Sequence, residues 1–237
     1  MDKINIKGII FDYGGTIDSR AVHWSEVIWK GYLNAGVNIT KEQFRDCYVF
    51  AERELARVRH ILPNDTFLDL LRKKMAIELG NLVDNGIIAE APQSLCESIA
   101  QYCYNAAREC VEEARPILET LSSRYPMMLV SNFYGNVDSV LRDFDLRRYF
   151  KGVIESAVVG VRKPNPTLFR LGVDAREMEA ADVLVVGDSI TKDIVPAESL
   201  GCKVLWIKGK GWTADEDAQT HPCMITSITQ VPDCINM

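Results

Sequence analysis

The chain has 237 residues, of which 47% are apolar and 25% charged, enough to bury a sizeable core and far from the composition of a disordered or fibrous protein. A formal net charge of −6 with scattered Lys and Arg excludes a basic footprint for nucleic acid. No apolar run approaches the roughly 18 residues that span a bilayer, and the first residues lack a signal-peptide apolar region, so the expectation is a cytoplasmic protein with a small-molecule partner, no nucleic acid and no membrane.

In chain order, the first predicted element is a strand over Lys7 to Phe11, uniformly apolar at its end as a strand buried on both faces should be. It runs into Asp12-Tyr13-Gly14-Gly15-Thr16. The texture then changes. Trp24 to Ala35, Glu42 to Arg59, Thr66 to Leu79 and Gln93 to Glu113 are long and helical in period, with almost no strand-like runs. Thr40 with Gln43 fits a capping box, Asp65 is an expected N-cap, and Pro63, Gly86, Pro92 and Pro116 are expected to punctuate the helices or their ends.

Beyond that stretch, helical patterns at Ile117 to Arg124, Asn136 to Phe144, Pro166 to Leu171 and Ile194 to Leu200 alternate with short apolar strands at Met127 to Val130, Val183 to Val186 and Val204 to Ile207. Alternation of this kind predicts right-handed crossovers and an α/β fold: a doubly wound parallel sheet, Rossmann-like, covered on both faces. Residues 1–19 and 115–237 form the expected core, and residues 20–114 an inserted all-α helical cap domain, a lid over the tip of the first strand. Cys47, Cys96, Cys103, Cys110, Cys202, Cys223 and Cys234 form no C-x-x-C pair and are expected to be reduced packing residues.

Four motifs fall at predicted strand ends or beside them: Asp12 to Thr16, Ser131-Asn132, Gly160 to Pro166 around Lys163, and Gly187-Asp188-Ser189 followed by Asp193. In an open parallel sheet the carboxyl ends of the strands face one crevice, so these motifs are expected to converge. Asp12 and Asp188 offer the hard anionic oxygens that suit Mg²⁺, an ion that keeps waters and binds substrate phosphate. A phosphate there finds donors in Ser131, Asn132, Lys163 and the amides of the Gly14-Gly15 turn. Asp12 is then placed for in-line attack on phosphorus, giving an aspartyl-phosphate that water later hydrolyses.

These residues resemble the haloacid dehalogenase superfamily, in the subclass whose helical cap is inserted between the first and second motifs. The family pattern is Asp-x-Asp-Gly-Thr, then Ser or Thr at a strand end, then Lys, then Gly-Asp with a further acid. The resemblance implies that Asp12 is the nucleophile, Ser131 and Asn132 with Gly15 bind the phosphate, Lys163 is catalytic and substrate-binding, and Asp12, the Gly14 carbonyl, Asp188 and Asp193 hold Mg²⁺. Asp193 has two readings, as a direct metal ligand or as an acid that orients the metal's waters; Asn132 likewise holds either substrate or backbone. The implied activity is that of a Mg²⁺-dependent phosphatase acting on a small phosphorylated metabolite.

One departure stands out. The family's phosphatases carry a second Asp two residues after the nucleophile, which protonates the leaving alkoxide, a contribution of about 10²–10⁴ in rate. This chain has Gly14 there. Three alternatives follow: a non-catalytic phosphoryl-ligand binding module, a phosphonatase-like C–P hydrolase, or a dehalogenase-like C–halogen hydrolase. Phosphonoacetaldehyde hydrolases use a cap lysine, and the corresponding region, Phe50 to Arg59, has none. Dehalogenases place a Tyr one position later than Tyr13 and use no metal. Asp18 is expected as a cap-linker or N-cap residue or as a substitute acid, Arg53, Arg57, Arg59 and His60 as a solvated helix face or an anion-recognition group, and His23, Trp24 and Trp29 as packing residues.

Overall fold

A computed structural model of the protein describes residues 3–236. The central strand β1 (Gly8–Phe11) is followed by four helices, α1 (Trp24–Asn34), α2 (Lys41–Arg57), α3 (Phe67–Asp84) and α4 (Gln93–Ser122). The chain continues through β2 (Met127–Ser131), α5 (Val137–Asp143), β3 (Gly152–Glu155), α6 (Ser156–Val159) and α7 (Thr167–Asp174). It ends with β4 (Val183–Gly187), α8 (Val195–Ser199), β5 (Lys203–Ile207), α9 (Ala214–Ala218), β6 (Met224–Ile225) and α10 (Val231–Cys234). The strands form one sheet in the order β3-β2-β1-β4-β5-β6, and every adjacent pair is parallel. The doubly wound parallel sheet expected from the alternation is therefore present.

Residue alternation along the strands divides the apolar side chains between the two faces. Ile9, Phe11, Leu129, Leu184, Val186 and Leu205 fall in one buried cluster, and Ile10, Met128, Val130, Val185, Val204 and Trp206 in another, with Phe169 of α7 and Ala197 of α8. The first cluster continues without a break into the helical insertion through Leu118, Val111 and Cys103 of α4 to Met75 and Leu71 of α3. Each large side chain buried there contributes about 1.5–3 kcal/mol, so the insertion and the sheet stabilise one another.

Local signals behave as their chemistry requires. Thr40 and Gln43 cap α2 reciprocally. Thr66, not Asp65, caps α3, in a reciprocal box with Asp69; the Asp65 carboxylate instead accepts the Leu62 amide and the Lys73 ammonium, closing the turn before the helix. Pro116 does not end a helix. It lies inside α4, which runs on to Ser122 and absorbs the segment expected as a separate helix from Ile117. Pro116 is exposed, so the Glu112 carbonyl that its missing N–H would bond faces solvent. The expected division at residues 114 and 115 thus falls within a continuous helix.

Two strands escape the sequence reading, β3 and β6. Gly152 and Glu155 bracket β3, which is only part-buried, and β6 has two residues, so neither produces an apolar run. All seven cysteines are free thiols, five of them buried. No helix among the described residues is long and apolar enough to cross a membrane.

Candidate active site

The carboxyl ends of β1, β2 and β4 meet above the middle of the sheet, bordered by a cavity of about 1330 Å³ that Asp12, Gly14, Gly15, Asn132, Lys163, Asp188 and Asp193 line from below. Asp12 leaves β1 with its amide donating to the Val186 carbonyl at 3.0 Å, which fixes it beside β4. The Lys163 ammonium donates to Asp12 Oδ1 and to Asp193 Oδ1, each at 2.7 Å, with all three side chains buried. Ser131, buried at the tip of β2, lies at the same end of the sheet and favours the Asp12 carboxylate. Sequence positions 12, 131, 163, 188 and 193 are thus brought to one place.

The loops that carry these groups are themselves fastened. The Asn132 side-chain amide donates to the Lys163 carbonyl at 3.1 Å and accepts the Lys163 amide at 2.9 Å. Asn132 therefore holds backbone. A wide π-type turn over Ile190–Ile194, of the kind that often marks functional sites, swings Asp193 inward, where its second oxygen accepts the Ser189 amide at 3.0 Å. Both oxygens of Asp193 are thus engaged by the protein. Asp188 accepts from Thr16 Oγ1 at 3.1 Å, while Trp206, unassigned from the sequence, donates its indole N–H to the Asp188 carbonyl at 2.8 Å.

Gly15 is required here by shape. Its φ is +94°, and a Cβ would lie 2.3 Å from the Asp188 carboxylate, so no side chain fits between the turn and that acid. Gly14 differs: a Cβ there meets no atom within 4 Å. The Gly15 amide donates to Asp18 Oδ1 at 2.8 Å, and the same oxygen accepts the Trp24 indole at 3.1 Å. Asp18 is consequently a buried brace for the turn rather than an N-cap, a task that His23 performs for α1. Burial pushes the Asp18 carboxyl up to about 7 and the His23 imidazole down to about 4.

Electrostatics at the strand tips point to a cation. Asp12, Asp188 and Asp193 bring ligand oxygens within 4.8 Å of one another, yet among the described residues Lys163 is the one ammonium bonded into the group, leaving two formal negative charges. Burial, and then the neighbouring carboxylates, push the Asp188 carboxyl well above its ordinary range; burial also raises Asp12, against the pull of Lys163. Burial alone lowers Lys163, but Asp12 and Asp193 hold it above its usual value. A divalent ion with oxygen ligands balances this charge and suits this donor set.

The cavity's upper wall combines His23, Trp24, Arg53, Arg57 and Arg59, named from the sequence, with Glu52, Lys74 and Tyr134, which were not. Lys74 of α3 is buried, ion-paired with Glu52 of α2, and lies 4.3 Å from the Tyr48 ring centroid. Tyr134, from the loop after β2, donates to the same Glu52 oxygen at 2.9 Å. Lys74 is thus a cap lysine lying outside the region searched in sequence. Burial works against its charge, but Glu52 and its neighbours raise it well above its ordinary value, so it stays an ammonium and not the neutral amine that Schiff-base chemistry needs.

Residues 6–201 match the haloacid dehalogenase-like hydrolase family. The chain belongs to that family. It is 32% identical over 91 residues, 38% of each chain, to a glyceraldehyde 3-phosphate phosphatase of Pyrococcus abyssi, so the aligned region spans about two fifths of that relative. It is 24% identical over 204 residues, 85% of this chain and 83% of the other, to a phosphoglycolate phosphatase of Vibrio parahaemolyticus. The haloacid dehalogenase-family hydrolase YfnB of Bacillus subtilis, solved bound to magnesium, aligns over 98% of this chain and 100% of its own with a TM-score of 0.61 at 17% identity, a likeness of fold. Haloacid dehalogenase-like hydrolases are thus the family of this chain in both sequence and architecture.

Proposed function

We propose that this haloacid dehalogenase-like hydrolase is a phosphatase acting on a small phosphorylated metabolite through an aspartyl-phosphate on Asp12. The observation that carries this reading is the buried group of three carboxylates about one ammonium, with Lys163 Nζ 2.7 Å from both Asp12 and Asp193. Such an excess of negative charge suits a site that works with Mg²⁺, and relatives of both short and long alignment are phosphatases.

In this reading Asp12, Asp188 and the Gly14 carbonyl hold Mg²⁺, which when bound offsets the charge of the phosphate beside the nucleophile. Asp193 keeps Lys163 in place, and Lys163, Ser131 and the Gly14 amide hold the phosphate oxygens; the Gly15 amide, expected from the sequence to join them, is taken by Asp18 instead. An Asp12 oxygen attacks phosphorus, the phosphorus–oxygen bond to the leaving group breaks, and the leaving oxygen departs as an alkoxide or phenoxide that takes a proton from water. Water then attacks the phosphoryl group, releasing phosphate and the free Asp12 carboxylate. Gly14 supplies no acid to either step. Aryl phosphates, whose leaving groups need little protonation, are therefore expected to turn over faster than alkyl phosphates.

The open space beside Gly14 keeps a second reading in view, a phosphoryl-ligand binding module. Rate measurements with p-nitrophenyl phosphate and an alkyl phosphate in Mg²⁺, with and without Asp12→Asn, separate the two. Hydrolysis of the aryl ester with a trapped phosphoenzyme, both lost in Asp12→Asn, supports the enzyme; binding of phosphate and Mg²⁺ without hydrolysis of either ester supports the module.

A further inference from the structure

The cap carries one acceptor toward the cavity that no step above uses. Glu52 lines the cavity from α2, and its side chain is 35% exposed, against 4% for its partner Lys74. Its Oε1 takes both the Lys74 ammonium and the Tyr134 hydroxyl, so the carboxylate is held from two sides, while Oε2 has no protein partner among the described residues. A charged acceptor oriented this way is organised before a ligand arrives, which lowers the cost of binding one. Beside it, the Tyr48, Trp212 and His23 rings form a packed wall, with centroids 5.5 Å apart for Tyr48 and Trp212 and 5.1 Å for His23 and Trp212, and all three line the same cavity.

We propose that Glu52 is the specificity-determining residue of this site, accepting hydroxyl hydrogens from a polyhydroxylated leaving group of the sugar or polyol phosphate class, whose C–H faces lie against the aromatic wall. The inference rests on the phosphatase reading. Its chemistry follows from the surroundings of Oε2. A carboxylate oxygen accepts and does not donate, so it offers no hydrogen bond to a leaving group that ends in a second carboxylate or phosphate. An ammonium-bearing group is opposed by Lys74 and by the exposed Arg53, Arg59, Arg162 and Lys192 along the same cavity. Neutral hydroxyls satisfy both conditions. Tyr134 also links this acceptor to the loop that follows Ser131 at the end of β2, so phosphate and leaving group are read from connected elements.

Michaelis constants and kcat/KM are measured for the full chain in Mg²⁺ buffer with phenyl phosphate, ribose 5-phosphate and phosphoglycolate. The wild type is expected to favour ribose 5-phosphate over phosphoglycolate. Glu52→Gln is expected to lower the kcat/KM ratio of ribose 5-phosphate to phenyl phosphate by about tenfold or more, the size of a lost hydrogen bond to a charged group. If Glu52→Gln does not melt as the wild type does, Tyr134→Phe, which removes one hydroxyl and leaves the ion pair, carries the test through the same ratio. A ratio unchanged within about twofold, or a preference for phosphoglycolate, overturns the Glu52 assignment and leaves the phosphatase reading standing. Failure of phenyl phosphate to turn over overturns both.

Discussion

In the phosphatase reading, Gly14 is the residue that limits turnover of alkyl esters. The family's phosphatases carry an acid at this position, and a Cβ built here enters open space, so an aspartate can be accommodated without moving the turn. Gly14→Asp is therefore expected to raise alkyl phosphate kcat/KM by about 10²-fold or more, within the usual range for a general acid, while changing aryl ester rates much less. Steady-state assays with matched aryl and alkyl esters measure this, and equal rates for the variant and the wild type on the alkyl ester would show that the site has diverged beyond the one residue. Gly15 tolerates no such change, because Asp188 occupies the place of its side chain. Two adjacent glycines thus differ in kind: one is empty by composition, the other by necessity.

Among the elements, α3 and α4 each carry a feature whose cost can be measured. Glu78 of α3 is fully buried, with Oε1 unpartnered and Oε2 accepting from Tyr32 at 3.1 Å; burial pushes its carboxyl up to about 7 from 4.5. Below pH 4.5 the group is protonated in both the folded and unfolded chains. As pH rises toward 7 the unfolded chain releases this proton and the folded one retains it, so stability is lost across that window. Glu78→Gln removes the titration, and its stability relative to the wild type is expected to improve by about 3 kcal/mol between pH 5 and pH 8, as read from denaturant melts at the two values. On α4, Pro116→Ala restores an N–H donor to an exposed mid-helix position. It is expected to stabilise by about 1–3 kcal/mol, measured in the same melts.

Element by element, legibility followed how local each signal is. Asp12, Ser131 and Asp188 sit at or beside the ends of strands that are short apolar runs, so strand, punctuation and chemistry are contiguous in the sequence, and Lys163 is marked by the glycine and prolines of its own loop after α6. Thr40 and Gln43 cap across three residues and are equally readable. Glu52, Lys74, Tyr134 and Trp212 come from α2, α3, the loop after β2 and the segment after β5, and each alone resembles an ordinary helix or loop residue. Their meaning lies in meeting, which only packing determines. Pro116 misled because a proline on a solvent-facing side is tolerated where a buried one is not, and facing depends on the partner helices. β3 stayed hidden because an edge strand with one half-wet face needs no continuous apolar run.

At the scale of the whole molecule, the charge of the strand-tip group ties metal binding to global stability. Three carboxylates and one ammonium held together at the centre of the sheet repel one another, and an ion that binds the folded state alone stabilises it by mass action. Mg²⁺ at about 100 times its dissociation constant is expected to stabilise the protein by about 2.7 kcal/mol, seen as a rise in melting temperature that chelation reverses. Asp188→Asn is expected to remove most of that rise. A melting temperature indifferent to Mg²⁺ in the wild type would place the acids in a purely structural role.

The register of β1 has a consequence for how the protein is made. Its two neighbours enter the chain only at Met127 and Val183, so a nascent polypeptide leaving the ribosome carries a fully apolar strand unpaired while the whole helical insertion is synthesised. Contacts that distant close slowly and leave sticky edges exposed in the meantime. Chains interrupted before Val183 lack a wall on one side of Asp12, so truncation products of this protein should surface as chaperone clients or insoluble material rather than as smaller working versions of it.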